Sequence, residues 1–307
     1  MSIKNYKVAV ALAIFCTLLW GTAFPFIKVG YAEFGIEGSD IGSKLLFAGA
    51  RFTLAGIMVL LIFWIKNKQF PKIEKSDIMP ISLLGLVQTF GQYIFTYIGI
   101  GFTSGANTSV ITACATFFTV LFAPLFFKSD KLNFFKIIGC VLGFCGVLCV
   151  NSGGTVSADT LFGDFMILMS TLSATAGNFI SKGIVRDREP ILVTGFQLLI
   201  GGVLLSIVGF GLGGKLHFLS VKAFFVLLWL AFVSAAAFAV WTALLKHHHA
   251  SKICVFNLLV PVFGTLLSGV MLHENVFSIE MMVSVVLICA GIFISNLQIK
   301  RGVSGEN

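Results

Sequence analysis

Charged residues are scarce in this sequence, and their scarcity excludes most soluble folds. Only 11% of the 307 residues are Asp, Glu, Lys or Arg, whereas 57% are hydrophobic and the mean hydropathy is +1.00. A soluble domain typically carries about 25% charged residues. Because no water-soluble core could enclose this much apolar surface, the sequence predicts a protein whose solvent is lipid.

Several chemical signatures are missing as well. The seven cysteines form no CxxC pair and all fall inside apolar runs, which is typical of packing residues rather than of disulfides or metal ligands. No phosphate-binding glycine loop is present, so ATP is excluded as a direct energy source within this chain. The three adjacent histidines 247–249 would point about 100° apart on a helix and could not converge on one ion. We therefore expect no catalytic residues, no metal and no cofactor.

The net charge of +8 does not indicate a nucleic-acid partner, because the basic residues stand in short clusters between apolar runs. Most of the 21 Lys and Arg residues fall in alternate connections, together with the two termini, and this bias predicts that both termini are cytoplasmic. The expected location is the plasma membrane, with the lipid bilayer and a small-molecule substrate as partners.

The apolar runs are long enough to span a bilayer, which takes about 20 residues. A polar stretch at 151–159 divides them into two groups of five, which predicts one unit at 1–153 and a second at 154–307. The fold class predicted is an all-α integral membrane protein with ten transmembrane helices. The runs lie at about 8–30, 43–65, 78–101, 103–127, 133–151, 160–182, 190–212, 220–246, 249–272 and 278–299.

The two halves also resemble each other in sequence. An offset of 145 residues pairs Phe118 with Phe263, and Gly146 with Gly291. Because each unit has an odd number of spans, the second copy must enter the membrane upside down. Two inverted five-helix repeats are typical of carriers that work by alternating access, with the substrate site near the midplane.

Three stretches carry a resemblance to a known family. They are LLWGTAFPFIKVG in the first span, ARFTLAG in the second and NLLVPVFGTLLSGVMLHENV in the ninth. Together they resemble the EamA-type transporters of the drug/metabolite transporter superfamily. This resemblance implies the same ten-helix fold of two inverted repeats, and it favours export of amino acids or related metabolites. The first repeat departs from the pattern, since Thr116 and Ser129 stand where the second has Pro261 and Glu274.

Prolines predict interruptions in two spans, one in each half. Pro25 should bend the first span and free the carbonyl of Gly21, and Pro261 should do the same to Asn257 in the ninth. Broken helices at membrane depth are tolerated when they are packed by protein or line a wet cavity. The alternative is that Pro and Gly are simply common in membrane helices.

Polar and aromatic residues in the spans extend this cavity hypothesis. Gln88 and Gln92 share one face of the third span, while other amides lie in the fourth, sixth and seventh. A lone amide is more often interhelical glue, so only their convergence indicates a site. The predicted substrate cavity consists of Trp20, Phe24, Pro25, Arg51, Gln88, Gln92, Asn107, Asn178, Gln197, Trp241, Asn257 and Pro261.

Arg51 is the most informative of these residues. It lies about 12 Å inside the second span, where an arginine costs at least ~2.5 kcal/mol unless it is paired or snorkels. One interpretation is structural, with Arg51 reaching free carbonyls or an outer-loop acid such as Glu33. The other is that its planar fork binds a substrate carboxylate, with Gln197 as its counterpart in the second half.

One alternative to a transporter stays open at this point. An integral-membrane enzyme, or a non-transporting protein on the same scaffold, would need acids, bases or ligands gathered near an interface, and the nearest group is His273 with Glu274 and Glu280. A channel would need rings of charge or a filter loop, and the sequence contains neither. The GxxxG run at 139–146 fits close helix packing, either within one chain or across a homodimer.

Overall fold

The computed structural model describes residues 3–100, 102, 105–150, 158–218, 220–272 and 279–295. The regular structure of these residues is entirely helical and forms ten segments, one for each apolar run. The segments are α1 (Tyr6–Glu33), α2 (Ile41–Asn67), α3 (Lys75–Ile100), α4 (Gly105–Phe126), α5 (Phe134–Val150), α6 (Ala158–Val185), α7 (Pro190–Gly211), α8 (Val221–His247), α9 (Ala250–Cys254, Val255–Leu258 and Leu259–Leu272) and α10 (Ile279–Ser295).

Polar side chains next to the apolar runs set where several helices begin. The side chain of Asn5 accepts a hydrogen bond from the backbone N–H of Lys7 at 3.0 Å, which caps α1. Asp40 accepts one from Ser43 at 2.8 Å at the start of α2. These side chains satisfy backbone donors that have no partner within the helix. The apolar runs then continue as helix because lipid offers the backbone no other partners.

Five helices are long and apolar enough to cross a bilayer: α1, α2, α3, α7 and α8. Four shorter apolar helices accompany them within α4, α5, α9 and α10. The chain is therefore a multi-pass membrane protein.

Two helices depart from regular α geometry, and the sequence predicted only one of these departures. Pro25 does not end the helix, because α1 is continuous from Tyr6 to Glu33 with Pro25 inside it, while the expected bend stays a prediction. A proline removes one hydrogen bond but need not end a helix that neighbouring helices support. In α9, the 3₁₀ segment Val255–Leu258 interrupts the helix just before Pro261, as expected. The π-helix Gly85–Gly91 in α3 was not predicted.

Glycine allows the closest helix contacts. A Cβ built on Gly49 of α2 would lie 2.5 Å from the backbone nitrogen of Ser206 in α7, so no larger residue fits there. In the same way, a Cβ on Gly139 of α5 would lie 2.4 Å from the carbonyl oxygen of Gly291 in α10. The GxxxG run of α5 thus serves packing within the chain.

Candidate functional site

Four of the predicted cavity residues, each on a different helix, form one polar and aromatic cluster. Asn178 of α6 accepts hydrogen bonds through its Oδ1 atom from Gln88 Nε2 and from Trp241 Nε1, both at 3.3 Å. The Trp241 ring packs edge-on against Trp20 of α1, with centroids 5.0 Å apart. All but Trp20 are buried. We call Trp20, Gln88, Asn178 and Trp241 the amide cluster.

The hydrogen bonds fix how the two amides point. An indole N–H can only donate, so the atom of Asn178 that faces Trp241 must be its oxygen. Gln88 must then present its nitrogen to that same oxygen. The observed bonds use neither Gln88 Oε1 nor Asn178 Nδ2 among the described residues. The amide cluster can therefore offer a small molecule the Gln88 Oε1 acceptor and the N–H donors of Asn178 Nδ2.

Arg51 is buried, and within the described residues it has one hydrogen-bond partner and no counter-ion. It is 2% exposed, and its Nε–H donates to Ser234 Oγ of α8 at 2.8 Å. The Ser234 hydroxyl donates in turn to the Leu230 carbonyl at 3.0 Å, so a lone pair faces Arg51. Neither Nη nitrogen has a hydrogen bond within the described part of the chain. Glu33, the acid considered for it, instead pairs with Lys222 at 3.0 Å and with Ser220.

Aromatic rings connect Arg51 with the amide cluster. The guanidinium carbon lies 5.0 Å from the centroid of the Phe52 ring. Phe52 contacts Phe238 of α8 with centroids 6.4 Å apart, and Phe238 contacts Trp20 at 5.5 Å. The two polar groups therefore lie at the ends of one aromatic wall. Sequence reasoning missed Ser234 and Phe238, although they stand one turn apart on the face of α8 that also carries Trp241.

Gln197 lies apart from Arg51, in the contact between α7 and α3. It is 1% exposed, and neither its Oε1 nor its Nε2 has a hydrogen-bond partner in the residues that the structure describes. Its backbone carbonyl faces Gly85 of α3, where a built Cβ would lie 2.9 Å from that oxygen. The structure thus places the two counterparts, Arg51 and Gln197, in different helix contacts.

The remaining predicted residues do not join these groups. Phe24 is 47% exposed, and its ring lies over Gly264 of α9, close to Pro261. Pro25 is buried within α1. Three others take no part in the observed bonds of the cluster. Gln92 is partly buried and its side chain has no hydrogen bond to the described residues. Asn257 has a buried Oδ1 without a partner among the same residues, and the side chain of Asn107 lies outside them.

A buried ion pair lies between α4 and α5 and was not predicted. Asp130 is 1% exposed and accepts a hydrogen bond from Lys136 Nζ at 2.8 Å. It also accepts from the backbone N–H of Ser251 at 3.0 Å, and from the Ser251 hydroxyl, at the start of α9. Burial opposes its charged form, but the bonds from Lys136 and Ser251 outweigh this and lower the pKa of Asp130. The pair joins the α4–α5 connection to α9.

Known proteins with similar sequences are transporters. "Uncharacterized transporter YoaV" of Bacillus subtilis (strain 168) is 28% identical over 290 residues, covering 93% of this chain and 95% of that protein. The "Probable amino-acid metabolite efflux pump" of Salmonella typhimurium is 28% identical over 301 residues, covering 92% and 93%. A chain of known crystal structure, 18% identical, superposes with a TM-score of 0.79 over 94% of this chain and 96% of its own, which supports the fold alone.

A family profile matches nearly the whole chain. It aligns twice, with residues 7–152 and again with residues 161–297. The profile is that of the EamA-like transporter family. With its apolar helices, its buried polar groups and these two matches, the chain belongs to the EamA-like transporter family.

Proposed function

We propose that the protein is a secondary transporter that exports amino acids or related small carboxylates by alternating access. The observation that carries this proposal is Arg51, a buried cation with no carboxylate beside it in the described residues. A buried charge normally needs a partner, because burying it alone is costly. A substrate carboxylate would be that partner.

The geometry of Arg51 suits a carboxylate. Ser234 occupies the Nε–H, which leaves the two Nη nitrogens for the parallel hydrogen bonds that a guanidinium makes to a carboxylate. The aromatic wall that leads from Phe52 to the amide cluster would contact the rest of the substrate. The amide cluster would then receive a polar group at the far end. The Salmonella relative, named a probable amino-acid metabolite efflux pump, supports this substrate class.

The packing supports two inverted repeats, residues 1–153 and 154–307, with ten spans. α1 packs on α8 and α9, while its counterpart α6 packs on α3 and α4. Likewise, α2 packs on α8, and α7 packs on α3. The counterpart pairs α2 with α7 and α5 with α10 pack on each other. Exchanging the halves therefore maps these contacts onto one another, as a twofold axis in the membrane plane requires.

Ten spans with cytoplasmic termini predict the side of each loop in the plasma membrane. Single cysteines in place of Lys72, after α2, and Lys215, after α7, should react with an impermeant maleimide from opposite sides. Both side chains are exposed, so accessibility does not limit either reaction. The background lacks the seven native cysteines, and permeabilised cells give the full labelling of each variant. Labelling of both positions from one side would contradict the proposed topology.

The transport activity is testable with purified protein in liposomes. Vesicles loaded with single radiolabelled amino acids should release some of them faster than protein-free vesicles do. Methyl esters of the released compounds, which lack the carboxylate, should compete poorly, because they cannot form the paired bonds to Arg51. Equal competition by acid and ester would contradict the carboxylate site. Absence of protein-dependent release across a panel of amino acids and related carboxylates would contradict the proposed substrate class.

A further inference from the structure

The contact between α3 and α7 contains three buried polar atoms that have no partners in the described part of the chain. They are Oε1 and Nε2 of Gln197 and Oγ1 of Thr89. Leaving a buried donor or acceptor unsatisfied is costly, so such groups in a native protein need an explanation. All three lie in one helix contact, so a single rearrangement of that contact can satisfy them together.

Thr89 and Gln197 are not hydrogen-bonded, and their backbone positions are offset by about one helical turn along α3 and α7. A Cβ built on Gly201 would be 2.3 Å from Thr89 Cβ, whereas Gln197 lies beside Gly85. Thr89 is thus level with a residue four positions beyond Gln197, which corresponds to about 6 Å along the helix. A slide of α3 against α7 by one turn would bring the hydroxyl and the amide together.

The other half of the protein has two polar residues at the equivalent positions, and there the side chains are hydrogen-bonded. Thr89 aligns with Ser234 at the repeat offset of 145, and Gln197 aligns with Arg51 at 146. Arg51 and Ser234 are hydrogen-bonded at 2.8 Å across α2 and α8. The corresponding contact is therefore closed in one half and open in the other.

The backbone differs between the halves at the same place. Thr89 lies within the π-helix Gly85–Gly91, whereas the matching residues of α8, 230–236, are regular α-helix. A π turn holds more residues than an α turn, so rewinding it moves the following part of the helix. Irregular turns of this kind occur often at functional sites.

We propose that the pairs Arg51–Ser234 and Thr89–Gln197 are two alternating latches. This inference rests on the alternating-access part of the proposed function. Inverted repeats exchange their conformations when such a carrier changes the side to which it opens. In the opposite-facing state, the π-helix of α3 rewinds, Thr89 bonds Gln197, and Arg51 separates from Ser234. Arg51 then has three free nitrogens in that state and two in the present one, so its hold on a carboxylate differs between the two sides.

Two conservative variants should shift the equilibrium in opposite directions. Thr89→Val removes a bond found only in the opposite-facing state, and Ser234→Ala removes one found only in the present state. One net hydrogen bond corresponds to a change of about two- to tenfold in the ratio of states. Spin labels at positions 72 and 186, exposed on the α2–α3 and α6–α7 connections, would report that ratio as two populations of distances. Thr89→Val should enrich the distance found in this structure, and Ser234→Ala should deplete it.

Thr194→Val is the matched control. Its hydroxyl is also buried on α7 without a partner in the described residues, but the offset of 146 that pairs Gln197 with Arg51 pairs Thr194 with Ala48, which has no polar side-chain atom. This control should leave the populations unchanged. Two populations that neither test variant shifts, or that both shift the same way, would contradict the latches alone. A single population in the parent protein, with and without transported solute, would contradict alternating access and the latches together.

Discussion

Replacing Arg51 with glutamine should lower the affinity for carboxylate substrates by about 100-fold or more. The variant loses two charge-assisted hydrogen bonds, each worth about 1.5–3 kcal/mol. Glutamine is a suitable replacement because the other half already buries Gln197 at the equivalent position. The measurement is the concentration dependence of release from liposomes, together with membrane abundance and the melting temperature in detergent.

Arg51→Lys provides the comparison that separates charge from geometry. Lysine keeps the positive charge but lacks the planar fork, and its single ammonium cannot bond Ser234 and a substrate carboxylate in the same arrangement. Its affinity should fall between those of the parent and Arg51→Gln. The structural interpretation of Arg51 would be favoured if Arg51→Gln accumulates poorly or melts early, while the fraction that survives transports with the parent affinity.

Composition and rare polar residues were sufficient to predict the helical plan and much of the site. Every predicted apolar run contains a helix, because a backbone in lipid has few alternatives to helical hydrogen bonding. Arg51 and Asn178 were recognisable since a charge or amide inside a long apolar run carries a cost that demands a reason. Their placement beside Ser234 and Trp241 follows from how the helices pack together. The spacing of residues predicts which of them share a face of one helix, but not which helix that face contacts.

The irregular helices show where prediction from the sequence failed. Pro25 suggested an interruption, but α1 continues through it, because packing against α8 and α9 supports the helix around the missing bond. The π-helix at Gly85–Gly91 has no proline within it and depends on how α3 meets α7 and α6. Asp130 stands between two predicted spans, where the sequence does not indicate burial. Its burial arises from a fold that brings Lys136 and the start of α9 against the same connection.

The second large effect concerns this buried pair. Asp130→Ala should destabilise the protein by about 3–5 kcal/mol, because it leaves the Lys136 ammonium buried beside an empty partner position. The double variant Asp130→Asn with Lys136→Met should recover most of that loss, since no unpaired charge remains and Asn can still accept from Ser251. Unfolding in denaturant, in a mild detergent, measures both. A single variant as stable as the parent would show that the pair contributes nothing.

Acid should remove the same contribution without a mutation. The lowered pKa of Asp130 means that the folded protein holds the carboxylate more strongly charged than the unfolded chain does. The folded state therefore gains stability at pH values above the ordinary aspartate pKa of 3.8, and this gain is lost as the pH falls below it. The difference in unfolding free energy between the parent and the double variant should be constant from pH 7 to pH 5. Below pH 3.8 the parent should lose stability relative to the double variant. A difference that stays constant down to pH 3 would show that Asp130 is not held charged by Lys136 and Ser251.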